Sequence, residues 1–85
     1  MRVSVISAER AVFDGDADAV VAPAYDGFVG ILPRHAPLMT LLGQGIVTIR
    51  RAGGNVTRLS VMGGFLQVAS NVVRIVARRA GPAEA

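Results

Sequence analysis

The sequence predicts an all-β protein, a small flattened β-sandwich or barrel of about 8–10 short, mostly antiparallel strands. Three observations predict this class. Apolar residues recur with a period of two, turn-forming residues interrupt the chain at short intervals, and no segment has the apolar stripe of an amphipathic helix. With 85 residues, of which 52% are hydrophobic, the chain is long enough for one domain with one core.

Four segments show the alternation of apolar and polar residues most clearly. One face of each segment would consist of Val, Ile or Leu and pack in the core, while the Arg, Ser and Thr residues between them would face solvent. β-Branched residues, which strands favour, are frequent in all four. The segments are RVSV (2–5), GIVTIR (45–50), VTRLSVM (56–62) and NVVRIVA (71–77).

Clusters of Gly, Pro, Asn and Asp separate the predicted strands. Gly53, Gly54 and Asn55 predict a hairpin turn, as do Ser70 and Asn71, because Gly and Asn tolerate a positive φ angle. The full set of turn signals is DGD (14–16), YDG (25–27), LPRHAP (32–37), GQG (43–45), AGGN (52–55), GG (63–64) and SN (70–71).

No linker or internal repeat divides the chain, so residues 1–79 are predicted to form the single domain. Residues 80–85 lack the alternation of the strands and are predicted to be a flexible C-terminal tail. Phe13 follows an apolar residue and Phe65 lies in a strand-like run, so both are predicted to be core residues.

The composition excludes several kinds of site. Cysteine is absent and His35 is the single histidine, so the sequence predicts no disulfide framework, no thiolate site and no zinc ligand set. No apolar run approaches the roughly 18 residues that would indicate a membrane span. Glu9 and Arg10 interrupt the apolar stretch that a signal peptide would need, so we expect an intracellular protein.

The charge is unevenly distributed along the chain. Residues 1–26 carry two arginines and five acidic residues, whereas residues 27–85 carry seven arginines and one acidic residue. This asymmetry is compatible with an acidic and a basic face, but arginines that solvate the outer faces of strands are the favoured interpretation. Binding of single-stranded nucleic acid is a weaker alternative, because the four aromatic residues are scattered and not interleaved with arginine.

The sequence offers no catalytic constellation. His35 has Arg34 beside it but no acidic or nucleophilic neighbour in the sequence, and a general base needs such a partner or a perturbed environment. Asp14, Asp16 and Asp18 would share one face of a strand and could bind a hard cation, although an acidic turn is favoured. The glycines do not form a phosphate loop. We therefore predict no enzyme activity, no cofactor and no metal site.

The segment GFVGILPRHAPLMTLL (27–42) favours a docking role. Pro33 and Pro37 fix φ and remove two backbone donors, so the loop has few conformers to lose on binding. Preorganised apolar loops on a rigid β scaffold are good binding surfaces. A docking module is the favoured class from these residues, and catalysis by His35 remains the weaker alternative.

Two long stretches of the chain carry a family resemblance. VISAERAVFDGDADAVVAPAYDGFVGILPRHAPLMTLLGQGIVTI (5–49) contains Ser-Ala-Glu, Phe-x-Gly and Gly-x-x-Gly-Ile-x-Pro-x-His-x-Pro-Leu-x-Thr, and VMGGFLQVASNVVRIVA (61–77) contains Gly-Gly-x-Leu-x-Val followed by Asn-x-Val. In these motifs the sequence resembles the N-terminal β-sandwich domain of the epsilon subunit of F-type ATP synthase.

The resemblance implies a non-catalytic rotor subunit of the central stalk, which docks the gamma subunit onto the ring of c subunits. Rotation of the ring, driven by ion flow, would then be coupled to ATP synthesis. By position, the c-ring contact would be formed by Asp26, Gly27 and Phe28. The gamma contact would be formed by Ser7, His35 and Thr40, with Arg34 and Met39 as neighbours of less certain involvement.

Three of these assignments have structural alternatives. The family often has a polar or charged residue where this chain has Phe28, which would then be an apolar contact or simply cap the end of the sandwich. His35 could form a hydrogen bond only within its own loop. Met39 could belong to the core instead of an interface.

The family carries a C-terminal helical hairpin that binds ATP in some members, and this sequence stops near the end of the sandwich. The chain is either a naturally short subunit or a shortened piece, and we expect it to bind no nucleotide by itself. The resemblance implies a peripheral position on the cytoplasmic side of the bacterial inner membrane, without insertion of this chain into the membrane. The alternative function is a free-standing β module that binds a small ligand or single-stranded nucleic acid.

Overall fold

A computed structural model describes residues 1–83 and confirms the all-β prediction. In this part of the chain, eight strands are joined by tight turns and one short 3₁₀ turn, Ala52–Gly54. The strands are β1 (Arg2–Ile6), β2 (Ala11–Asp16), β3 (Ala19–Ala24), β4 (Gly27–Ile31), β5 (Leu38–Leu41), β6 (Gln44–Arg50), β7 (Val56–Ala69) and β8 (Val72–Pro82).

The strands form one hydrogen-bonded sheet in the order β2-β1-β8-β7-β6-β3-β4, and β5 pairs with β7. All pairs are antiparallel except the pair of β1 and β8. The first half of β7 pairs with β6 and its second half pairs with β5, while β8 follows β7 along nearly its whole length. The sheet therefore folds over itself into a front layer (β2, β1, β8, the second half of β7, β5) and a back layer (the first half of β7, β6, β3, β4).

A single cluster of aliphatic side chains fills the space between the two layers, and no polar or charged side chain within residues 1–83 is buried. The predicted alternation supplies most of this core, because every second residue of a half-buried strand faces the opposite layer. The most deeply buried side chains are Val3, Val5, Leu66, Val68, Val73 and Ile75 from the front layer and Val20, Ile31, Val47, Ile49 and Val61 from the back layer.

β7 passes from one layer to the other at a pair of glycines. Leu59 and Val61 face the core before this point, and Leu66 faces it after this point, so the buried face changes from odd to even positions. The change is possible because Gly63 and Gly64 have φ angles of 66° and 113°. The sequence had indicated two strands separated by a turn here; the structure instead has one bent strand of 14 residues.

Both predicted hairpin turns are present. Ser70 and Asn71 join β7 to β8 with φ angles of 52° and 63°, which is the conformation of a two-residue hairpin turn. Gly53 and Gly54, with φ angles of 82° and 85°, lie in the turn between β6 and β7. Strand pairing begins directly beside both turns, at Arg50 and Val56 and at Ala69 and Val72.

The predicted flexible tail is wrong for residues 80–82, because β8 continues to Pro82. Ala80 packs against the core, Pro82 lies opposite Leu59, and the Ala83 amide donates a hydrogen bond to the Arg58 carbonyl. Residues 84 and 85, which the same prediction included, lie outside the described part of the chain. Among the residues described, no helix is long and apolar enough to cross a membrane.

Candidate docking surfaces

The predicted c-ring residues lie together at the tip of the β3–β4 hairpin. The turn consists of Tyr25 and Asp26 and is followed by Gly27, whose φ of 137° lies in the region that favours glycine. The two aromatic side chains of the tip, Tyr25 and Phe28, are 71% and 72% exposed. Phe28 is therefore an exposed residue at this end of the sandwich, and its contact with the c ring stays a prediction.

The β4–β5 loop holds His35 by contacts within the loop. The His35 amide donates to the Leu32 carbonyl at 3.1 Å, and its ring nitrogen Nδ1 lies 2.7 Å from the carbonyl oxygen of Ala36, a geometry in which Nδ1 donates. The Arg34 amide donates to Oδ1 of Asn71 at 2.8 Å, which fastens the loop to the β7–β8 turn. His35 thus forms a hydrogen bond within its own loop, as the structural alternative for this residue predicts. Contact of its half-buried ring with gamma stays a prediction.

Ser7 organises the turn between β1 and β2. Its Oγ accepts hydrogen bonds from the amides of Glu9 and Arg10 at 3.4 and 3.3 Å and donates to the Arg10 carbonyl at 3.2 Å. A shallow open cleft of about 570 Å³ separates this turn from Arg78 and Arg79 at the end of β8. Ser7 thus has a structural role in its turn, as serine commonly has.

β5 presents its two predicted residues on opposite sides. Met39 is 65% exposed and lies opposite Gln67, so the alternative that placed Met39 in the core is wrong. Thr40 is half-buried and lies opposite Leu66, which belongs to the core. Of these two residues, therefore, only Met39 projects from the outer face of the front layer.

An apolar row, formed by Leu41, Phe65, Val76 and Ile6, crosses the outer face of the front layer from β5 to β1. Each residue lies opposite the next on the neighbouring strand. Leu41 is 63% exposed and Phe65 is 38% exposed, so the prediction of Phe65 as a core residue is wrong. The bend at the glycine pair explains the error, because the alternation of the first half of β7 would have placed Phe65 inside. The Gly-Gly of the family motif, at positions 63–64, was the sequence signal that could have indicated this bend.

The row beside the apolar row is mixed. It consists of Met39, Gln67, Arg74, Ser4 and Asp14, again opposite one another on successive strands. At its end the guanidinium of Arg2 forms an ion pair with Asp14 at 2.9 Å, and both side chains are more than half exposed. The outer face thus has an apolar centre with a polar margin, which is the usual arrangement of a protein–protein interface.

The structure divides the predicted gamma residues between two ends of this face. On β5 the apolar row begins next to the tip of the β3–β4 hairpin, because the Tyr25 amide donates a hydrogen bond to the Leu41 carbonyl at 3.2 Å. On β1 the row ends at Ile6, which is followed by Ser7. His35 and Arg34 lie at the other end, next to the β7–β8 turn. Ser7 and His35 are therefore not neighbours but lie at opposite ends of the face.

The acidic and basic residues lie mainly on outer faces. Asp14 and Asp16 are exposed on β2, and Arg50, Arg58 and Arg74 are exposed at outward positions of their strands. This distribution agrees with the interpretation that the arginines solvate the strands. In the part of the chain that the structure describes, no three His, Asp or Glu side chains gather to hold a metal ion.

The chain is thus a mostly antiparallel β-sandwich with an apolar row on the outer face of its front layer. The ATP synthase delta/epsilon chain β-sandwich domain matches this chain over residues 1–83. The chain therefore belongs to this family.

Curated relatives support the assignment. The chain is 46% identical over 76 residues to the ATP synthase epsilon chain of Leptospira borgpetersenii serovar Hardjo-bovis, an alignment that covers 89% of this chain and 59% of the relative. It is 40% identical over 84 residues to the epsilon chain of Moorella thermoacetica, covering 99% of this chain and 63% of the relative. The chain thus spans about three fifths of the length of these relatives.

Two solved structures share the fold. A chain of the Euglena gracilis mitochondrial ATP synthase (OSCP/F1/c-ring, rotational state 1) matches 94% of this chain and 51% of its own length, with a TM-score of 0.88 and 23% identity. A chain of the Tetrahymena thermophila mitochondrial ATP synthase central stalk and c ring matches 96% of this chain and 66% of its own length, with a TM-score of 0.78 and 16% identity.

Proposed function

We propose that this domain is the sandwich of a non-catalytic rotor subunit of F-type ATP synthase. It docks the gamma subunit onto the ring of c subunits and so couples ion-driven rotation to ATP synthesis. Family membership supports this function, and the fold is that of chains in two ATP synthase structures. The observation that carries the proposal is the set of exposed apolar side chains at the tip (Phe28) and in the apolar row (Leu41 and Phe65), which a backbone hydrogen bond from Tyr25 to Leu41 joins.

The tip is proposed to meet the c ring through Asp26, Gly27 and Phe28. A hairpin turn exposes these residues at one end of the domain, and Phe28 offers most of its ring surface to a partner. Aromatic residues give large contact areas at interfaces for little loss of conformational freedom. With a peripheral contact of this kind, the domain would lie at the cytoplasmic side of a bacterial inner membrane without entering the membrane.

The outer face of the front layer is proposed to meet gamma. The apolar row and the exposed side chain of Met39 form the centre of this contact, and Ser7 and His35 lie at its two ends. Thr40 and Arg34 contribute from the edge strand and its loop. Burial of an apolar centre of this kind is the main favourable term in protein association.

The gamma contact is tested by co-expression with the gamma subunit of the same organism and recovery of the complex. Phe65→Asp should weaken recovery by at least about tenfold, because it places a charge at the centre of the apolar row. The matched control is Val56→Asp, which adds the same charge at a 52% exposed valine on the back layer. Equal recovery of both variants, or no complex with the unsubstituted chain, would refute the proposed gamma contact.

The ring contact is tested with purified c ring and the gamma complex. Phe28→Asp should leave the domain folded, because the side chain is 72% exposed, and should reduce attachment to the ring. Unchanged attachment would contradict the proposed tip contact. A separate calorimetric titration with ATP should show no saturable binding to the 85-residue chain.

A further inference from the structure

The edge strand β4 has unusual properties for an exposed edge. It is a terminal strand of the sheet and pairs with β3 along one side, and within residues 1–83 no strand pairs along its other side. Its sequence, GFVGI, contains no charge. The other terminal strand, β2, carries Asp14 and Asp16, the kind of residue that prevents edge-to-edge association. β4 lacks this protection.

Gly30, in the middle of this edge, has no evident reason to be glycine within one copy of the domain. Its φ lies outside the left-handed region, and a Cβ atom built on it would meet no atom within 4 Å. Glycine weakens a strand and often marks a place where another backbone or ligand approaches closely. Phe28 lies two residues earlier, on the same face of the strand, and is 72% exposed.

We propose that the free subunit forms a symmetric dimer in which β4 pairs antiparallel with β4 of a second copy. With the two-fold axis at Val29, Phe28 of each copy lies opposite Gly30 of the other and covers it. Residues that lie opposite one another in an antiparallel pair have their side chains on the same face of the sheet. The core-facing side chains of the two β4 strands therefore lie on one face of the joined sheet, and Phe28 and Gly30 lie on the other. Aromatic–glycine pairs of this kind are known to stabilise strand pairing.

The charges at the two ends of β4 favour the same arrangement. Asp26 precedes the strand and Arg34 follows it, separated by the apolar residues between. Antiparallel pairing brings the end with Asp26 in one copy to the end with Arg34 in the other, so that opposite charges approach one another at both ends. The interface is self-complementary, as a two-fold dimer requires.

This dimer and attachment to the c ring would exclude each other, because both use Phe28. The dimer would thus be a form of the subunit before assembly. Self-pairing does not require the ring contact, because it depends only on the free edge, Phe28 and Gly30. A paired edge of five residues is a small interface, so the dimer is expected to be weak and to require a high protein concentration.

The test is sedimentation equilibrium of the purified chain at concentrations up to about 1 mM, since small interfaces give weak affinities. The mass should rise from 8.8 kDa toward twice this value. Phe28→Asp and Gly30→Lys should each keep the mass at that of a monomer. Both variants should fold, because the native Phe28 side chain is exposed and a side chain added at Gly30 would enter open space. The control Val56→Asp should dimerise like the unsubstituted chain.

An equimolar mixture of Phe28→Asp and Gly30→Lys gives the sharpest result. In the proposed register the introduced aspartate faces the introduced lysine, while the native Phe28 of one copy faces the native Gly30 of the other. The mixture should therefore form a heterodimer although neither variant dimerises alone. A folded unsubstituted chain that stays monomeric at about 1 mM would overturn the proposal. Persistence of the dimer in both single variants would also overturn it, because a different face would then be responsible.

Discussion

Replacing Gly64 with alanine tests whether the bend of β7 depends on the missing side chain. A Cβ atom on Gly64 would overlap the Val76 carbonyl oxygen and would lie 2.9 Å from Cα of Ala77. Both atoms belong to the backbone of β8, so they cannot move without separating the two longest strands of the sheet. The φ of 113° is also a conformation that alanine rarely adopts.

The expected loss of stability is large for a domain of this size. Backbone strain of this kind is worth about 1–3 kcal/mol, and overpacking against fixed atoms adds about 1–3 kcal/mol. The total free energy of unfolding for 85 residues is about 4–13 kcal/mol. Gly64→Ala should therefore remove a large part of the stability, with unfolding at much lower urea concentration.

Two other glycines provide graded controls. Gly63→Ala, at φ 66°, meets the flexible Arg78 side chain at 2.9 Å, which can move, so its expected cost is about 1–2 kcal/mol. Gly30→Ala meets no atom within 4 Å at an ordinary φ and should be neutral or slightly stabilising. Urea unfolding at low protein concentration, followed by circular dichroism, should rank the three in this order. A Gly64→Ala domain as stable as the unsubstituted chain would refute the reasoning.

Two further predictions concern the core and the loop. Leu66→Ala, at a fully buried position, should lower the free energy of unfolding by about 2–5 kcal/mol. The control Met39→Ala, at a 65% exposed position, should change it by less than about 0.5 kcal/mol. Similar urea midpoints for the two variants would place Leu66 outside the core. Asn71→Gly keeps the positive φ but removes the side-chain oxygen that accepts the hydrogen bond from the Arg34 amide. The Arg34 amide hydrogen should therefore exchange faster in deuterium-exchange experiments. An unchanged exchange rate would show that this hydrogen bond does not hold the loop.

The sequence predicted those parts of the fold that depend on neighbouring residues. The alternation correctly placed Val47, Ile49, Val73 and Ile75 in the core, because burial of a half-buried strand repeats every second residue. Both hairpin turns could also be predicted, since the conformational freedom of glycine and asparagine is a local property.

The errors arose where burial depends on distant residues. Phe65 was predicted to be in the core because nothing in the alternation itself shows that the buried face of β7 changes at the glycine pair. Residues 80–82 lack alternation, yet they form a strand because the opposite residues of β7, from Leu59 to Val61, lie about twenty positions away in the sequence. The gathering of Leu41, Phe65, Val76 and Ile6 into one row likewise depends on the register of four strands.

The candidate site could be predicted only in part for the same reason. The tip residues are consecutive, so their grouping follows from one turn. Family position predicts Ser7 and His35 as gamma contacts, but only the topology shows that they lie at opposite ends of the front face. The hydrogen bond between the Arg34 amide and Asn71 joins residues 37 positions apart, and no local pattern indicates it.

The corner where the two layers meet connects the tip to the apolar row through backbone hydrogen bonds. The Gly43 amide donates to the Pro23 carbonyl at 2.9 Å, and the Leu42 amide donates to the Gly64 carbonyl at 3.0 Å. The tip hairpin, the end of β5 and the bend of β7 are thus fastened to one another without an intervening flexible loop. Gly43 also lacks room for a side chain, since a Cβ atom would lie 2.8 Å from the Ala24 carbonyl oxygen. A force applied at Phe28 would therefore reach the outer face through hydrogen-bonded strands, as the proposed position between the c ring and gamma would require.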